Sequence, residues 1–172
     1  MIVSTYINSI TGVAIERNDS QNEEYVYEGK PMIVETDAKR IITYANKRFI
    51  ETSGYSKEEV IGSSHCMHLH PEMPAGIFKD ACKMTDEGKT WSGLVQNINK
   101  AGISYWTELL IQPKFNERTG QIIGYMATRR EMDIAKLSLV KAEYHDIRAL
   151  GGETVRGQFC GEVYLGDRAC AF

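Results

Sequence analysis

Three histidines and a cysteine lie close together at positions 65, 66, 68 and 70 and form the densest group of metal-binding side chains. Imidazole and thiolate groups are ligands for zinc and iron, so this segment could hold a metal ion. Spacing alone is a weak signal, because no second pair of ligands follows nearby and no Cys-x-x-Cys-His haem-attachment motif occurs. We therefore predict no metal site, and haem held by one of these histidines remains an alternative.

The sequence contains no motif that indicates a common class of enzyme. No Ser-His-Asp arrangement, G-x-x-x-x-G-K loop, G-x-G-x-x-G loop or H-E-x-x-H helix is present. The four cysteines form no Cys-x-x-Cys pair, so we expect reduced thiols. We predict that the protein is not an enzyme.

Composition and charge restrict the partners. The chain has 172 residues, with 20 Lys plus Arg against 23 Asp plus Glu and a net charge of −3. A slightly acidic chain lacks the basic footprint that nucleic-acid binding requires. No stretch of 18 apolar residues and no secretory signal is visible. We expect a cytoplasmic protein with no nucleic-acid partner and no membrane span.

Apolar periodicity, caps and turns predict the elements that must position these side chains. A loop shaped by Pro71 and Pro74 separates two short helices from a longer one. The predicted elements are a hairpin from Met32 to Tyr44, helices at Asn46–Ser53 and after the Ser56–Glu59 capping box, a helix at Ile77–Glu87, and strands at Trp91–Asn99, Ser104–Gln112 and Gln121–Arg129.

Several of these segments resemble PAS sensor domains. Residues 35–49 are similar to the opening hairpin and Asn-x-x-Phe helix of that family, and residues 53–62 are similar to its Gly-Tyr and Glu-Glu-x-x-Gly link. The segments His70-Pro-Glu-Met-Pro74 and Trp91-Ser-Gly-Leu-Val-Gln-Asn97 resemble the FAD-binding PAS domain of bacterial aerotaxis receptors more specifically. The similarity extends over roughly residues 30 to 150.

The resemblance implies an α+β PAS fold, with a five-stranded antiparallel sheet, helices on one face, an N-terminal cap and a C-terminal helix. We divide the chain into an N-terminal cap and linker (1–28), a PAS domain (29–132), an amphipathic signalling helix (133–150) and a C-terminal tail (151–172). The polar run from Glu16 to Glu24 is predicted to be linker, and the tail is predicted to form a small hairpin or stay loose.

The resemblance also implies a cytoplasmic redox or oxygen-linked sensor that binds FAD between the helices and the inner face of the sheet. The implied cofactor-binding residues are Asn46, His65, His70, Glu72, Trp91 and Asn97. Asn97 shares one face of its strand with Trp91, and its carboxamide could report protonation of the flavin N5 because it both donates and accepts hydrogen bonds.

Four of these residues also have an ordinary structural interpretation. Asn46 could tie the hairpin to the first helix, and Trp91 could simply fill the core. His70 could be a structural hydrogen-bonding residue beside its proline, and Asn97 could be a solvated residue at a strand end. The sequence leaves these alternatives open.

Three positions depart from the aerotaxis pattern. Leu69, Gln96 and Ile98 stand where that subgroup usually has basic residues, and Glu72 replaces an Asp. Since Arg and Lys stabilise the pyrophosphate of FAD, their loss weakens the case for FAD. A flavin-free PAS module that binds another small ligand or haem, or serves as a dimerisation unit, is the alternative.

The predicted signalling helix has apolar residues at positions 137, 140, 144 and 147, spaced by three and four. This seam could pack on the domain's own sheet or on a second copy. Glu131 precedes it at the place of the acidic residue in the Asp-Ile-Thr junction of the family. We therefore predict transmission through this helix, with a homodimer or a downstream signalling protein as partner.

Overall fold

The computed structural model describes residues 3–155 as a mixed α+β fold, which confirms the predicted class. The strands are β1 (Val3–Ile7), β2 (Ala14–Asn18), β3 (Glu24–Val26), β4 (Met32–Asp37), β5 (Ile42–Ala45), β6 (Trp91–Ile98), β7 (Ser104–Phe115) and β8 (Ile122–Arg130). The helices are α1 (Lys47–Ser53), α2 (Lys57–Val60), α3 (Ala75–Asp86) and α4 (Leu137–Ala149), with 3-10 turns at His65–His68 and Ile134–Lys136. The predicted structure of the tail beyond residue 155 lies outside the described residues.

The main sheet has six strands rather than the five predicted. Its order is β3-β7-β8-β4-β5, and β6 pairs with β7. Strand β3 is the addition, and it runs parallel to residues 104–106 of β7. β8 pairs with β7 only from Glu108 onwards, so β8 leaves the backbone N–H and C=O groups at the start of β7 unpaired on that edge. Strand β3 forms hydrogen bonds with these groups.

The polar run from Glu16 to Glu24 was predicted to be linker, and this prediction is wrong at both ends of the run, whereas residues 19–23 lie outside the strands. The run contains the end of β2 and the start of β3. Arg17 is almost completely buried, and its Nη1 donates to the carbonyl of Met67 at 3.0 Å. The hairpin of β1 and β2 is fixed to the end of α2, where the Asn8 amide donates to the Ile61 carbonyl at 2.7 Å.

The two faces of the sheet bury different groups of side chains. Strand alternation points Tyr105 toward the helical side, where it belongs to a core cluster with Phe49 of α1. Trp106 points to the opposite face and stacks on Tyr144 of α4, with ring centroids 6.2 Å apart. Helices α1 to α3 therefore cover the inner face, and α4 covers the outer face.

The apolar seam of α4 packs on its own domain. Tyr144 is buried, and Leu137, Val140 and Ile147 pack against the same core cluster. Of the two packing alternatives left open by the sequence, the structure uses the intramolecular one. Among the helices of residues 3–155, none has both the length and the apolar character needed to cross a bilayer.

Candidate functional site

A small cavity lies between the inner face of the sheet and α3, with a volume of about 30 Å³. Most of its lining is apolar, because strands β4, β7 and β8 point alternate apolar side chains inward. The apolar lining residues are Val34, Leu69, Phe78, Ala81, Leu109, Ile111 and Ala127. Arg129, Arg40 and His65 are the lining residues that can carry a positive charge.

Arg129 of β8 is a buried cation in the wall of this cavity. Its Nε donates to Oδ1 of Asn97 at 3.0 Å, and its Nη2 donates to Nε2 of His68. Its Nη1 has no hydrogen-bond partner among the residues that the structure describes. Burial lowers the pKa of Arg129 to about 10, so the side chain stays charged at neutral pH. The cavity wall therefore offers an unpaired N–H group and a positive charge.

Asn97 of β6 is fully buried on the inner face, as the strand alternation predicted. Its amide nitrogen donates to the Tyr105 carbonyl at 3.3 Å and to the Thr107 hydroxyl at 3.0 Å, and its oxygen accepts from Arg129. The interpretation of Asn97 as a solvated residue at a strand end is wrong. Asn97 is instead the centre of a buried polar network beside the cavity.

The histidines of residues 65–70 have separate partners. His68 accepts from Arg129 through Nε2, which places its proton on Nδ1, and its ring meets Phe49 edge-on at 5.1 Å. Burial, followed by the charge of Arg129, lowers the pKa of His68 well below its usual value. His65 donates from Nδ1 to the Arg40 carbonyl, and burial and the Arg40 charge lower its pKa to about 3. Both rings are therefore neutral at physiological pH.

Arg40 is the second arginine in the cavity wall, and a carboxylate neutralises it. Its Nη2 donates to Asp86 Oδ1 at 2.8 Å and to the Thr85 hydroxyl at 3.0 Å. The guanidinium lies 3.8 Å from the centre of the Tyr125 ring. The backbone of Arg40 is left-handed, with φ of +63°, which turns the chain sharply between β4 and β5.

Two of the predicted cofactor residues, Asn46 and Trp91, do not line the cavity. The Asn46 oxygen accepts from the backbone N–H groups of Phe49 and Ile33, so the side chain ties the hairpin to α1 as expected for its structural role. Trp91 is buried, and its Nε1 donates to Asp80 at 3.3 Å. Both side chains thus have structural partners.

His70 and Glu72 also lie outside the cavity lining. His70 is buried, its Nδ1 accepts from the Glu72 N–H, and its Nε2 lies 3.4 Å from the Ser20 hydroxyl. The Glu72 side chain is exposed, and its backbone carbonyl accepts from Arg148 of α4. Of the six predicted residues, the structure brings only His65 and Asn97 to the cavity and its polar network.

The three positions that lack basic residues have different surroundings. Leu69 lines the cavity, whereas Gln96 points to the outer face and donates to Glu24 at 3.2 Å. Ile98 is fully buried and is not part of the cavity lining. Only the substitution at Leu69 therefore changes the charge of the cavity wall.

Arg129 and Arg40 were not predicted as site residues, and His68 was considered only as a metal or haem ligand. Arg129 was detectable, because it alternates with Tyr125 and Ala127 on the inward face of β8. A charged residue on an inward strand face is an indicator of a site. Arg40 gave no comparable signal, because its burial depends on contacts with α3, more than 40 residues away.

Comparison with known proteins identifies the fold family. A family model described as the PAS domain matches residues 29–132. The chain is 36% identical over 114 residues to the aerotaxis receptor of Escherichia coli (strain K12), covering 66% of this chain and 22% of the receptor. It is 23% identical over 135 residues to the nitrogen fixation regulatory protein of Klebsiella pneumoniae, covering 78% and 27%. The chain thus spans about a quarter of the length of these relatives.

Solved structures share the same architecture. The light state of the blue-light photoreceptor Aureochrome1 LOV matches with a TM-score of 0.59 and 20% identity, over 66% of this chain and 91% of that one. A light-oxygen-voltage domain studied with a flavin analogue matches with a TM-score of 0.57 and 22% identity, over 68% and 89%. Because the PAS model covers more than half of the sequence, the chain belongs to the PAS domain family.

Proposed function

We propose that this PAS domain binds a flavin, specifically FAD, and reports its redox state to a signalling partner. The observation that carries this proposal is the unpaired N–H and unneutralised charge of Arg129 beside Asn97, at the wall of an apolar cavity. The pyrimidine edge of a flavin ring presents carbonyl oxygens and nitrogens that accept hydrogen bonds, and the rest of the ring is flat and apolar. The similarity to an aerotaxis receptor and to a domain studied with a flavin analogue supports it further.

The chemistry of the lining residues fits a flavin ring, whereas the enclosed volume is smaller than such a ring requires. A cavity of about 30 Å³ holds one or two water molecules, whereas ligand sites are on the order of 300–1,000 Å³. A tricyclic ring therefore requires one wall to move. Helix α3 closes the cavity with Phe78 and Ala81, and it is the wall that we expect to shift away from the sheet.

Asn97 and Arg129 are the residues that we expect to orient the ring. A bound flavin would supply reversible electron transfer with proton uptake at N5. The Asn97 carboxamide can exchange its donor and acceptor ends by rotating, and this property supports its proposed role as reader. Its bonds to Thr107 and Arg129 would change with that rotation.

The route to the partner leads from Arg129 along β8 to α4. Glu131 accepts from the Gly29 N–H at 2.7 Å, and Asp133 caps the turn before α4 by accepting from the Ala135 N–H at 3.0 Å. Six residues, 131–136, separate the end of β8 from the start of α4, so a movement of β8 would reach α4 over a short segment. Because the apolar seam of α4 is occupied, a second copy or a partner protein would use other surfaces.

FAD is the proposed flavin because residues 70–74 resemble those of the aerotaxis receptors. Gln96 and Ile98 do not line the cavity, so their lack of charge concerns the pyrophosphate of FAD and not the ring. His70 and Glu72 remain proposed contacts for the part of FAD that extends beyond the ring. Asn46 and Trp91 remain weaker proposals, since structural partners hold both side chains.

The absorption spectrum of the purified full chain tests this function. We expect the visible bands of oxidised flavin, and we expect acid denaturation to release FAD that mass spectrometry identifies. Release of a shorter flavin would replace FAD in the proposal, and a haem spectrum would replace the flavin. A colourless protein that stays colourless after incubation with excess FAD would overturn the function.

The small cavity favours a second candidate, a flavin-free PAS module that binds another small ligand or serves as a dimerisation unit. This candidate predicts a colourless chain whose melting temperature does not change with added FAD. Sedimentation equilibrium would then show a dimer if the module acts through self-association.

A further inference from the structure

Arg129 carries a buried charge that no carboxylate among the described residues neutralises. Building on the proposed flavin function, we infer that Arg129 makes the domain bind the reduced, negatively charged flavin more tightly than the oxidised flavin. Arg129 thereby sets the redox preference of the pocket. The inference stands on the position of the guanidinium in the cavity wall and on its unpaired Nη1.

The ionisable groups that face Arg129 do not offset its charge. His68 and His65 on the adjoining 3-10 turn are neutral, because burial lowers their pKa values. Burial raises the pKa of Tyr105 on β7, so this hydroxyl is also neutral. Arg17, on the N-terminal hairpin beyond His68, adds a second positive charge. The interior beside the cavity is therefore positive throughout the neutral pH range.

Arg40 provides the internal comparison. It lines the same cavity and is equally buried, but Asp86 binds it at 2.8 Å. An arginine paired with a carboxylate contributes little net field to the cavity, whereas Arg129 contributes its full charge in a medium of low dielectric constant. Only Arg129 is thus expected to distinguish a neutral ring from a charged one.

Reduction transfers two electrons from an external donor and one proton from the solvent to the ring. The proton bonds to N5, and the product then has one negative charge unless N1 takes up a second proton. An opposite charge within 4–6 Å typically shifts such an equilibrium by about one to three orders of magnitude. By linkage, the ratio of the affinities for the two redox forms equals the shift of the reduction equilibrium on binding.

The test measures dissociation constants of the full chain for oxidised FAD and for FAD reduced with dithionite under anaerobic conditions. We expect the wild type to bind the reduced form at least about tenfold more tightly. Arg129→Gln, which keeps a polar side chain without charge, is expected to lose this ratio, and Arg129→Lys is expected to retain most of it. Arg40→Lys, which keeps a positive charge beside Asp86, is expected to keep the ratio.

The outcomes separate the inference from the function on which it rests. If the wild type binds neither form of FAD, both are overturned. If the wild type binds FAD and Arg129→Gln weakens the two forms equally, the inference fails and the proposed function stands. Equal affinity of the wild type for both forms would also overturn the inference alone.

A measurement on the wild type alone covers the case in which Arg129→Gln does not fold. The reduction potential of the bound flavin is measured against pH over the range in which the domain is folded. We expect a slope of one proton per two electrons throughout, because Arg129 keeps the reduced ring anionic. A slope of two protons per two electrons would show a neutral reduced ring and would contradict the inference.

Discussion

The hydroxyl of Tyr144 on α4 donates to the backbone carbonyl of Leu94 on β6 at 2.5 Å. The ring of the same tyrosine stacks on Trp106 of β7 with an interplanar angle of 22°. Burial raises the pKa of Tyr144 to about 12, so the hydroxyl remains a donor at physiological pH. One side chain therefore fastens the C-terminal helix to two strands of the sheet.

Removal of this attachment should loosen α4. Tyr144→Phe deletes one hydrogen bond, worth about 1 kcal/mol, and Tyr144→Ala also deletes the buried ring, at a cost of about 3–5 kcal/mol. Amide hydrogen exchange should become faster along α4, and urea denaturation should show the loss of stability. Leu139→Ala, at a position 73% exposed on the same helix, is the matched control and should change little. Unchanged exchange of α4 in Tyr144→Ala would contradict this role.

Asn97 should be important for stability even without a ligand. Asn97→Ala leaves the buried Arg129 Nε and Thr107 hydroxyl without their partner, and we expect a loss of about 2–3 kcal/mol in the free energy of unfolding. Gln96→Ala removes the neighbouring amide, which points to the outer face, and should cost less than about 1 kcal/mol. Equal losses in the two variants would argue against a buried network at Asn97.

Stability should fall as the pH decreases below about 6.5, the usual histidine pKa. His65 and His68 have lowered pKa values in the folded state, so below pH 6.5 the unfolded chain binds protons that the folded chain does not. This contribution is fully present above pH 6.5 and is lost progressively toward pH 3 for His65. Each histidine should lower the free energy of unfolding by about 1.4 kcal/mol for each pH unit below its unfolded-state pKa.

Urea denaturation between pH 7.5 and pH 5 measures this dependence. His68→Gln should reduce the slope by about one proton. A wild-type stability that is flat over this range would show that His65 and His68 are protonated in the folded state without cost.

Gly124 should tolerate no side chain. A Cβ atom at this position would lie 2.1 Å from the backbone carbonyl oxygen of Thr36, so Gly124→Ala should force β8 away from β4 and lower the melting temperature strongly. Gly76 of α3 has no atom within 4 Å of the added Cβ, and Gly76→Ala should instead stabilise the domain by about 0.5–1 kcal/mol. Equal melting temperatures of the two variants would contradict this strand spacing.

Local patterns in the sequence predicted much of the fold. The Ser56–Glu59 capping box forms as expected, because both partners lie within one helical turn. The alternation of β6 placed Asn97 on the inner face, because successive side chains of a strand point to opposite sides. The strand β3 escaped prediction, because it has only three residues, begins at the end of a polar run and gains its partner from β7, some 80 residues further along the chain.

The sequence by itself determined the PAS resemblance, the order of the central elements and the inward position of Asn97. Only the tertiary structure decided what surrounds that residue, because His68 and Arg129 are 61 positions apart in the sequence and meet only in the folded domain. In the folded domain the His68 imidazole is neutral and the Arg129 charge has no neutralising partner among the described residues. The residue types alone do not reveal either property. The periodicity of a sequence indicates which face of a strand a side chain occupies. The charge balance in the interior depends instead on which segments, distant in the sequence, pack against each other.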